Sequence, residues 1–130
     1  MKKTLSTVVI LLVFALTACS KERAVNRKLD GNWRAILHDG ELVGKGESYL
    51  YLFTKDRKDN GVGTITYKSG GADCTSTFTY TLSGKVMTML IADPQVSSLR
   101  MEVVHVDIYE KDQIIFTDQT NGGKTILEPW

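Results

Sequence analysis

The sequence predicts an all-β domain, a small eight-stranded antiparallel up-and-down barrel. Three observations lead to this prediction: eight short runs rich in β-branched and aromatic residues, turn residues between these runs, and no window with a helical period. Several of the links are only two to five residues long, so neighbouring strands are expected to pair antiparallel. A β-sandwich is the alternative, although a sandwich usually needs longer crossover connections.

The predicted strands follow one another from residue 33 to residue 127. Their links contain pairs such as Asp39-Gly40, Asn60-Gly61 and Gly122-Gly123, which supply the positive φ angles of tight turns. A meander of this kind can close on itself, and closure removes both exposed sheet edges. In chain order the predicted strands are Trp33–His38, Glu47–Thr54, Val62–Lys68, Cys74–Leu82, Lys85–Ala92, Leu99–Glu110, Gln113–Thr117 and Lys124–Leu127.

The clearest predicted strand is Cys74–Leu82. Phe78, Tyr80 and Leu82 alternate with a row of threonines, so one face of the strand is expected to be buried and the other solvated. The run Tyr49–Phe53 is apolar on both faces, and its register therefore stays open.

The first 18 residues have the layout of a secretory signal. Lys2 and Lys3 precede an apolar run from Val8 to Leu16, and small residues follow directly before Cys19. The apolar run is too short to cross a bilayer, which takes about 20 residues. We therefore expect residues 1–18 to be a signal peptide.

The stretch Leu16-Thr17-Ala18-Cys19 resembles the lipobox of bacterial lipoproteins. The resemblance implies that Cys19 is acylated and becomes the N-terminus, where two or three acyl chains anchor a protein stably to a membrane. Ser20, and not an aspartate, follows the cysteine. By similarity to enterobacterial lipoproteins, this implies that the protein is anchored in the outer membrane and faces the periplasm. A soluble secreted protein cut near Ala18 is the alternative.

The remaining chain is divided into a lipidated cysteine with a tether, 19–28, and a barrel domain, 29–130. The tether is polar and basic, so a solvated spacer with room for one helical turn before Leu29 is expected. The chain has 16 basic and 15 acidic residues; without Lys2 and Lys3 the basic count becomes 14. This near-neutrality argues against a nucleic-acid partner.

Cys74 is left without a cysteine partner once Cys19 is lipidated. A fold based on disulfides is thereby excluded, and the domain must rely on its core. We expect Cys74 to be a small buried residue, because free cysteine is among the most buried residue types.

The segment Leu29-Asp30-Gly31-Asn32-Trp33 resembles the Gly-x-Trp signature that opens the first strand of lipocalins and of small lipocalin-like bacterial lipoproteins. The resemblance implies a barrel entered through a short helical turn, with Trp33 at its closed end. The run Tyr51–Tyr67 is similar to the early hairpin of these domains.

The sequence offers little chemistry for catalysis. His105 and Asp107 share a strand face and could act as base and orienting group, but no nucleophile motif accompanies them, so a surface histidine is the preferred interpretation. Two histidines and one available cysteine give no zinc spacing. We expect neither an enzyme, nor a cofactor, nor a metal site.

Aromatic residues are the candidates for binding. We expect a non-catalytic module that holds a small apolar ligand in the barrel lumen, since eight strands leave room for one small ligand or for a packed core. The alternative is a packed barrel that binds or inhibits another envelope protein, with Trp130 among the contact residues or closing the barrel. The candidate ligand-binding residues are Trp33, Tyr51, Phe53, Tyr67, Phe78, Tyr80 and Phe116.

Overall fold

The computed structural model of the chain describes residues 21–95, 97–109 and 112–130. The predicted signal peptide 1–18, the predicted lipidation site Cys19 and Ser20 lie outside these residues. The described residues form one helix, α1 (21–29), and nine strands. The strands are β1 (Gly31–His38), β2 (Glu41–Leu42), β3 (Glu47–Arg57), β4 (Asn60–Ser69), β5 (Ala72–Ser83), β6 (Val86–Ala92), β7 (Leu99–Tyr109), β8 (Gln113–Asp118) and β9 (Lys124–Pro129).

Eight of these strands form a closed antiparallel barrel. Each strand from β3 to β8 pairs with the next one along the chain, and β1 pairs with both β3 and β9. The predicted eight-stranded up-and-down barrel is confirmed. The sandwich alternative is wrong because the β1–β9 ladder joins what would have been two free edges into a single sheet.

The two-residue strand β2 was not predicted. It lies against the end of β1, and the two are joined by a tight turn at Asp39 and Gly40, both of which have positive φ angles of 48° and 87°. Positive φ at both central residues is the geometry of the hairpin turn that follows the natural strand twist. The turn prediction for this pair was correct, but the strand after it was too short to recognise.

The inward faces of the strands alternate as β-structure requires. On β5, Phe78, Tyr80 and Leu82 are buried while the threonines between them are exposed, as predicted. The open register of β3 is settled by Tyr49, Tyr51 and Phe53, which face inward. The buried core consists of Val25, Leu29, Trp33, Ala35, Tyr51, Phe53, Phe78, Tyr80, Leu82, Met87, Met89, Ile91, Val104, Val106, Ile114, Phe116 and Leu127.

Two glycines of β4 make room for the aromatic part of this core. A side chain at Gly61 would overlap the Tyr80 ring, and one at Gly63 would overlap the Phe78 ring. The sequence predicted Asn60-Gly61 as a turn, but the chain turns at residues 58–59 and both residues belong to β4. Glycine is required here by the close approach of the rings, not by a positive φ.

Helix α1 is longer than the single turn expected before Leu29, and it corrects the interpretation of residues 21–28 as a solvated spacer. From residue 21 the segment is helical through residue 29, and Val25, Asn26 and Leu29 are buried against the barrel. These residues share one face of a helix at spacings of three and four, while Arg23 and Arg27 point to solvent. The helix is stabilised because this short stripe covers one end of the barrel. The basic residues around the stripe make it difficult to recognise in the sequence.

The helix closes one end of the barrel, referred to below as the closed end. The Trp33 indole donates a 2.8 Å hydrogen bond to the carbonyl of Leu29 at the end of α1, and Glu22 accepts one of 3.1 Å from the backbone of Gly84 in the β5–β6 turn. The opposite end has no such cover among the described residues and is called the open end. In the described part of the chain, no helix combines the length and the apolar character needed to cross a membrane.

Candidate ligand-binding site

A cavity of about 580 Å³ occupies the open end of the barrel. Its deepest walls are buried side chains, Tyr51 from β3, Met89 from β6, Val104 from β7 and Phe116 from β8. Below this level, Phe53 packs edge-on against Phe78, Tyr80 and Phe116 with ring centroids 5.4–6.0 Å apart, which fills the lumen. The barrel is therefore packed in its closed half and hollow in its open half.

The mouth of the cavity is polar and carries an excess of carboxylates. Arg100 is the single arginine or lysine among the residues of the wall. The acidic residues of the wall are Asp39, Asp73, Asp93, Glu102 and Asp118, contributed by five different segments of the barrel.

Glu102 lies on the inward face of β7, and 37% of its side chain is exposed. The inward face of that strand runs from the exposed Arg100 through Glu102 to the buried Val104 and Val106. Burial raises the pKa of Glu102; Arg100, with Nε 4.0 Å from the carboxylate, opposes this shift, and Asp118 and Asp39 add to it. Glu102 is thus a partly desolvated carboxylate near other carboxylates. A cation beside it would offset the repulsion between Glu102 and the charges of Asp118 and Asp39.

Tyr51 places a polar atom in the wall. Its side chain is only 6% exposed and lines the cavity, yet among the described residues its hydroxyl has no hydrogen-bond partner. Burial first, and then the nearby charge of Glu102, raise the pKa of Tyr51, so the hydroxyl remains protonated. The hydroxyl can therefore both donate and accept a hydrogen bond inside the cavity.

Three rings form an aromatic wall near the mouth. His38 stacks on Tyr49 with centroids 3.8 Å apart and ring planes 5° from parallel, and Tyr49 lies 4.7 Å from Tyr67. The pKa of His38 is lowered, mainly by burial, so the imidazole is largely neutral at pH 7. All three rings line the cavity.

The predicted binding residues separate into two groups. Tyr51, Tyr67 and Phe116 line the cavity. Trp33, Phe53, Phe78 and Tyr80 are buried in the filled half of the barrel and do not line it. The sequence identified inward-facing aromatic residues but had no means of separating those that fill the lumen from those that border open space.

The charged mouth was missed. Glu102 and Arg100 belong to the inward face that ends in Val104 and Val106, so the alternation along Leu99–Tyr109 already contained a signal. A carboxylate on the inward face of a barrel strand is costly unless it borders water or a partner. The remaining mouth residues sit in turns and strand ends, where alternation carries no information.

Other sequence candidates lie elsewhere. His105 Nε2 is 3.4 Å from Asp107 Oδ1, but both side chains are on the outer surface of β7, away from the cavity. Cys74 is half-buried and lines the cavity instead of lying in the core. Trp130 is 68% exposed and lies outside the barrel, so it does not close the lumen. Within the described residues no cluster of histidine, cysteine, aspartate and glutamate is arranged to hold a metal ion.

The outer surface carries one apolar groove, called here the outer groove. It crosses β3 to β7 on the side where threonines alternate with aliphatic residues. Its exposed aliphatic residues are Leu52, Val62, Leu90 and Leu99.

Comparisons with known proteins support the architecture alone. No protein-family model matches the chain, and no curated protein matches it. A solved structure of a redesigned beta barrel is similar, with a TM-score of 0.57 and 15% sequence identity, over 82% of this chain and 95% of the designed one. At this identity the likeness extends to the fold, and the chain is an eight-stranded antiparallel β-barrel.

Proposed function

We propose that this protein is a non-catalytic binding module, a lipocalin-like barrel that holds one small molecule in its open end. We further propose that it is a lipoprotein, anchored through Cys19 to the outer membrane and facing the periplasm. The anchor proposal rests on the signal-like segment and on the lipobox-like stretch that ends at Cys19.

The observation that carries the binding proposal is the cavity of about 580 Å³ in a barrel whose other half is filled. Small-molecule sites usually measure about 300–1,000 Å³ and combine apolar walls with a few convergent polar groups. Met89, Val104 and Phe116 form the apolar walls of this cavity. Tyr51 and Glu102 supply the polar groups. The ligand is therefore expected to have an apolar body that enters first and a polar group that stays near Glu102.

A neutral fluorescent dye tests this function. N-phenyl-1-naphthylamine, whose emission rises in apolar surroundings, is expected to bind the purified protein with a stoichiometry of one. Ser76 faces the cavity, and Thr77, the next residue of the same strand, points to solvent. Ser76→Trp should abolish binding, and the matched control Thr77→Trp should keep it. Absence of binding to the unmodified protein, or equal loss in both variants, would contradict the proposal.

A second candidate function is contact with another envelope protein. The outer groove supports it, because contiguous exposed aliphatic residues often mark interaction surfaces. Leu90 on β6 and Leu99 on β7 are two of its exposed aliphatic residues. If Leu90→Lys removes a crosslinked partner from intact envelopes while dye binding persists, this second function applies in addition to the first.

A further inference from the structure

We propose that the cavity selects an amphipathic organic cation, an amine whose ammonium group lies beside Glu102 and the Tyr51 hydroxyl while its apolar body enters the barrel. This inference rests on the proposed binding function and adds the chemical class of the ligand.

The charge of the cavity wall favours a cationic ligand. Five carboxylates face one guanidinium, and burial keeps the His38 imidazole largely neutral at pH 7. A concave site with one sign of charge and low-dielectric walls concentrates ligands of the opposite sign and repels those of its own. An anionic ligand would meet this wall unfavourably, and a cationic one favourably.

The carboxylates of the wall are not equally available to bind a ligand. Asp93 accepts a 2.9 Å hydrogen bond from the backbone of Gln95. Asp118 accepts bonds of 2.7 Å and 3.3 Å from the backbones of Thr120 and Asn121. Both side chains are committed to their own turns.

Glu102 has no such commitment. Among the described residues its contact is with Arg100, at 4.0 Å and therefore at the limit of an ion pair. Arg100 itself is largely exposed at the rim. The Glu102 carboxylate thus retains acceptor capacity for a donor that comes from the cavity side.

The Tyr51 hydroxyl is a second feature that favours a cation, independent of the acidic residues. The Tyr51 side chain is more than nine-tenths buried and lines the cavity, and its hydroxyl has no partner among the described residues. Since no fully buried side-chain nitrogen or oxygen of the described residues lacks a partner, this hydroxyl is accessible from the cavity and can bond to a ligand there. An ammonium group has several N–H donors, so it can bond to Glu102 and Tyr51 together.

The aromatic wall fits the same ligand. Tyr49 and Tyr67 border the cavity close to the mouth, where the head of a ligand that enters with its apolar body first would lie. Cations are attracted to the faces of such rings when they lie within about 6 Å of the centroid. His38 is stacked on one face of Tyr49, whereas no ring of the described residues is stacked on Tyr67, so Tyr67 is the better candidate for this contact. A neutral or anionic head group gains nothing comparable from these rings.

Three probes with one common body test the inference. They are 2-(1-naphthyl)ethylamine, which is a cation at pH 7, the neutral 2-(1-naphthyl)ethanol, and the anion 1-naphthylacetate. Their affinities are measured by calorimetry on the purified protein, with Ser76→Trp as the measure of binding outside the cavity. We expect the amine to bind at least tenfold more tightly than the alcohol, and the acetate to bind most weakly.

A pair of variants locates the effect on β7. Glu102→Gln should reduce the preference for the amine over the alcohol to less than threefold, and an unchanged circular dichroism spectrum and melting transition verify that the variant is folded. Asp107→Asn removes a carboxylate from the outer surface of the same strand and should leave the preference intact.

The outcomes separate the two proposals. If all three probes bind equally in the cavity, or if the acetate binds most tightly, the cation inference is overturned and the binding function stands. If the preference persists in Glu102→Gln, the assignment of Glu102 is overturned. If neither the probes nor the neutral dye bind, the binding function itself fails.

Discussion

The Tyr80 hydroxyl donates a 2.6 Å hydrogen bond to Oδ1 of Asn26, and this bond joins the wall of the barrel to the helix that closes it. Asn26 is the one fully buried polar side chain of the described core. Its amide nitrogen donates to the carbonyls of Arg57 and Asn60, at 2.6 Å and 3.1 Å. A single asparagine of α1 therefore satisfies groups from the β3–β4 hairpin and from β5, which explains why a polar residue occupies the helix face that covers the core.

Removal of Asn26 should weaken the closed end. Asn26→Ala removes the amide from two part-buried backbone carbonyls and from the buried Tyr80 hydroxyl. A buried polar group left without a partner costs about 1–3 kcal/mol. Tyr80→Phe removes one of these bonds and should cost about 1 kcal/mol, the lower part of that range. Urea unfolding measures both changes. The exposed Asn32 provides a control, and a loss in Asn26→Ala no greater than that in Asn32→Ala would show that this network contributes nothing to stability.

The same tyrosine predicts a loss of stability at alkaline pH. Burial, and secondarily the charge of Asp30, raise the pKa of Tyr80 to about 12, whereas a tyrosine in an unfolded chain titrates near about 10. Between these values the unfolded chain releases a proton that the folded protein retains, so the free energy of unfolding falls as the pH rises. The fall should be smaller in Tyr80→Phe than in the unmodified protein. If the free energy of unfolding fell equally with pH in the two proteins, the alkaline loss of stability could not be attributed to Tyr80.

The glycines of β4 predict a specific intolerance to larger residues. Gly63→Ala places a methyl group against the Phe78 ring and against the backbone of Leu52, neither of which can move away freely in a packed barrel. Overpacking of this kind costs about 1–3 kcal/mol. Gly44→Ala is the matched control, because its nearest neighbour is the flexible end of Glu47. Thermal unfolding should separate the two variants by several degrees, and equal melting temperatures would refute the packing argument.

Cys74 can report occupancy of the cavity. Its side chain lines the wall and is half-buried, so N-ethylmaleimide should reach it in the empty protein and reach it more slowly when the neutral dye is bound. Peptide mapping by mass spectrometry follows the modification at this residue. A cysteine introduced at the adjacent, outward-facing Thr75 should be modified at the same rate with and without dye. Protection of both sites, or of neither, would argue against binding inside the barrel.

The barrel was predictable because its signals are local. Alternation on β5 and the turn at Asp39-Gly40 each lie within a few residues, and the burial pattern agrees with them. A single helical turn before Leu29 was predicted, but the full length of α1 was not, because its stripe of Val25, Asn26 and Leu29 is short and includes a polar residue whose partners come from distant segments.

The cavity was only partly predictable for a different reason. Tyr51 and Phe53 are both inward aromatic residues of β3, and the sequence treats them alike. Whether a ring fills the lumen or borders open space depends on what faces it from across the barrel, such as the Phe78 ring against Phe53. Asp39, Glu102 and Asp118 likewise lie close together only because β1 pairs with β9 and closes the barrel.

Native mass spectrometry of the protein purified from its own cells tests the central claim most directly. The claim predicts a reproducible additional mass that is lost on unfolding, is absent from Ser76→Trp and is retained in Thr77→Trp. Its value would identify the bound molecule, and an amine is the expected class. A protein that carries no additional mass under conditions that preserve its fold would contradict the claim that the open end of this barrel is a binding site for a cellular small molecule.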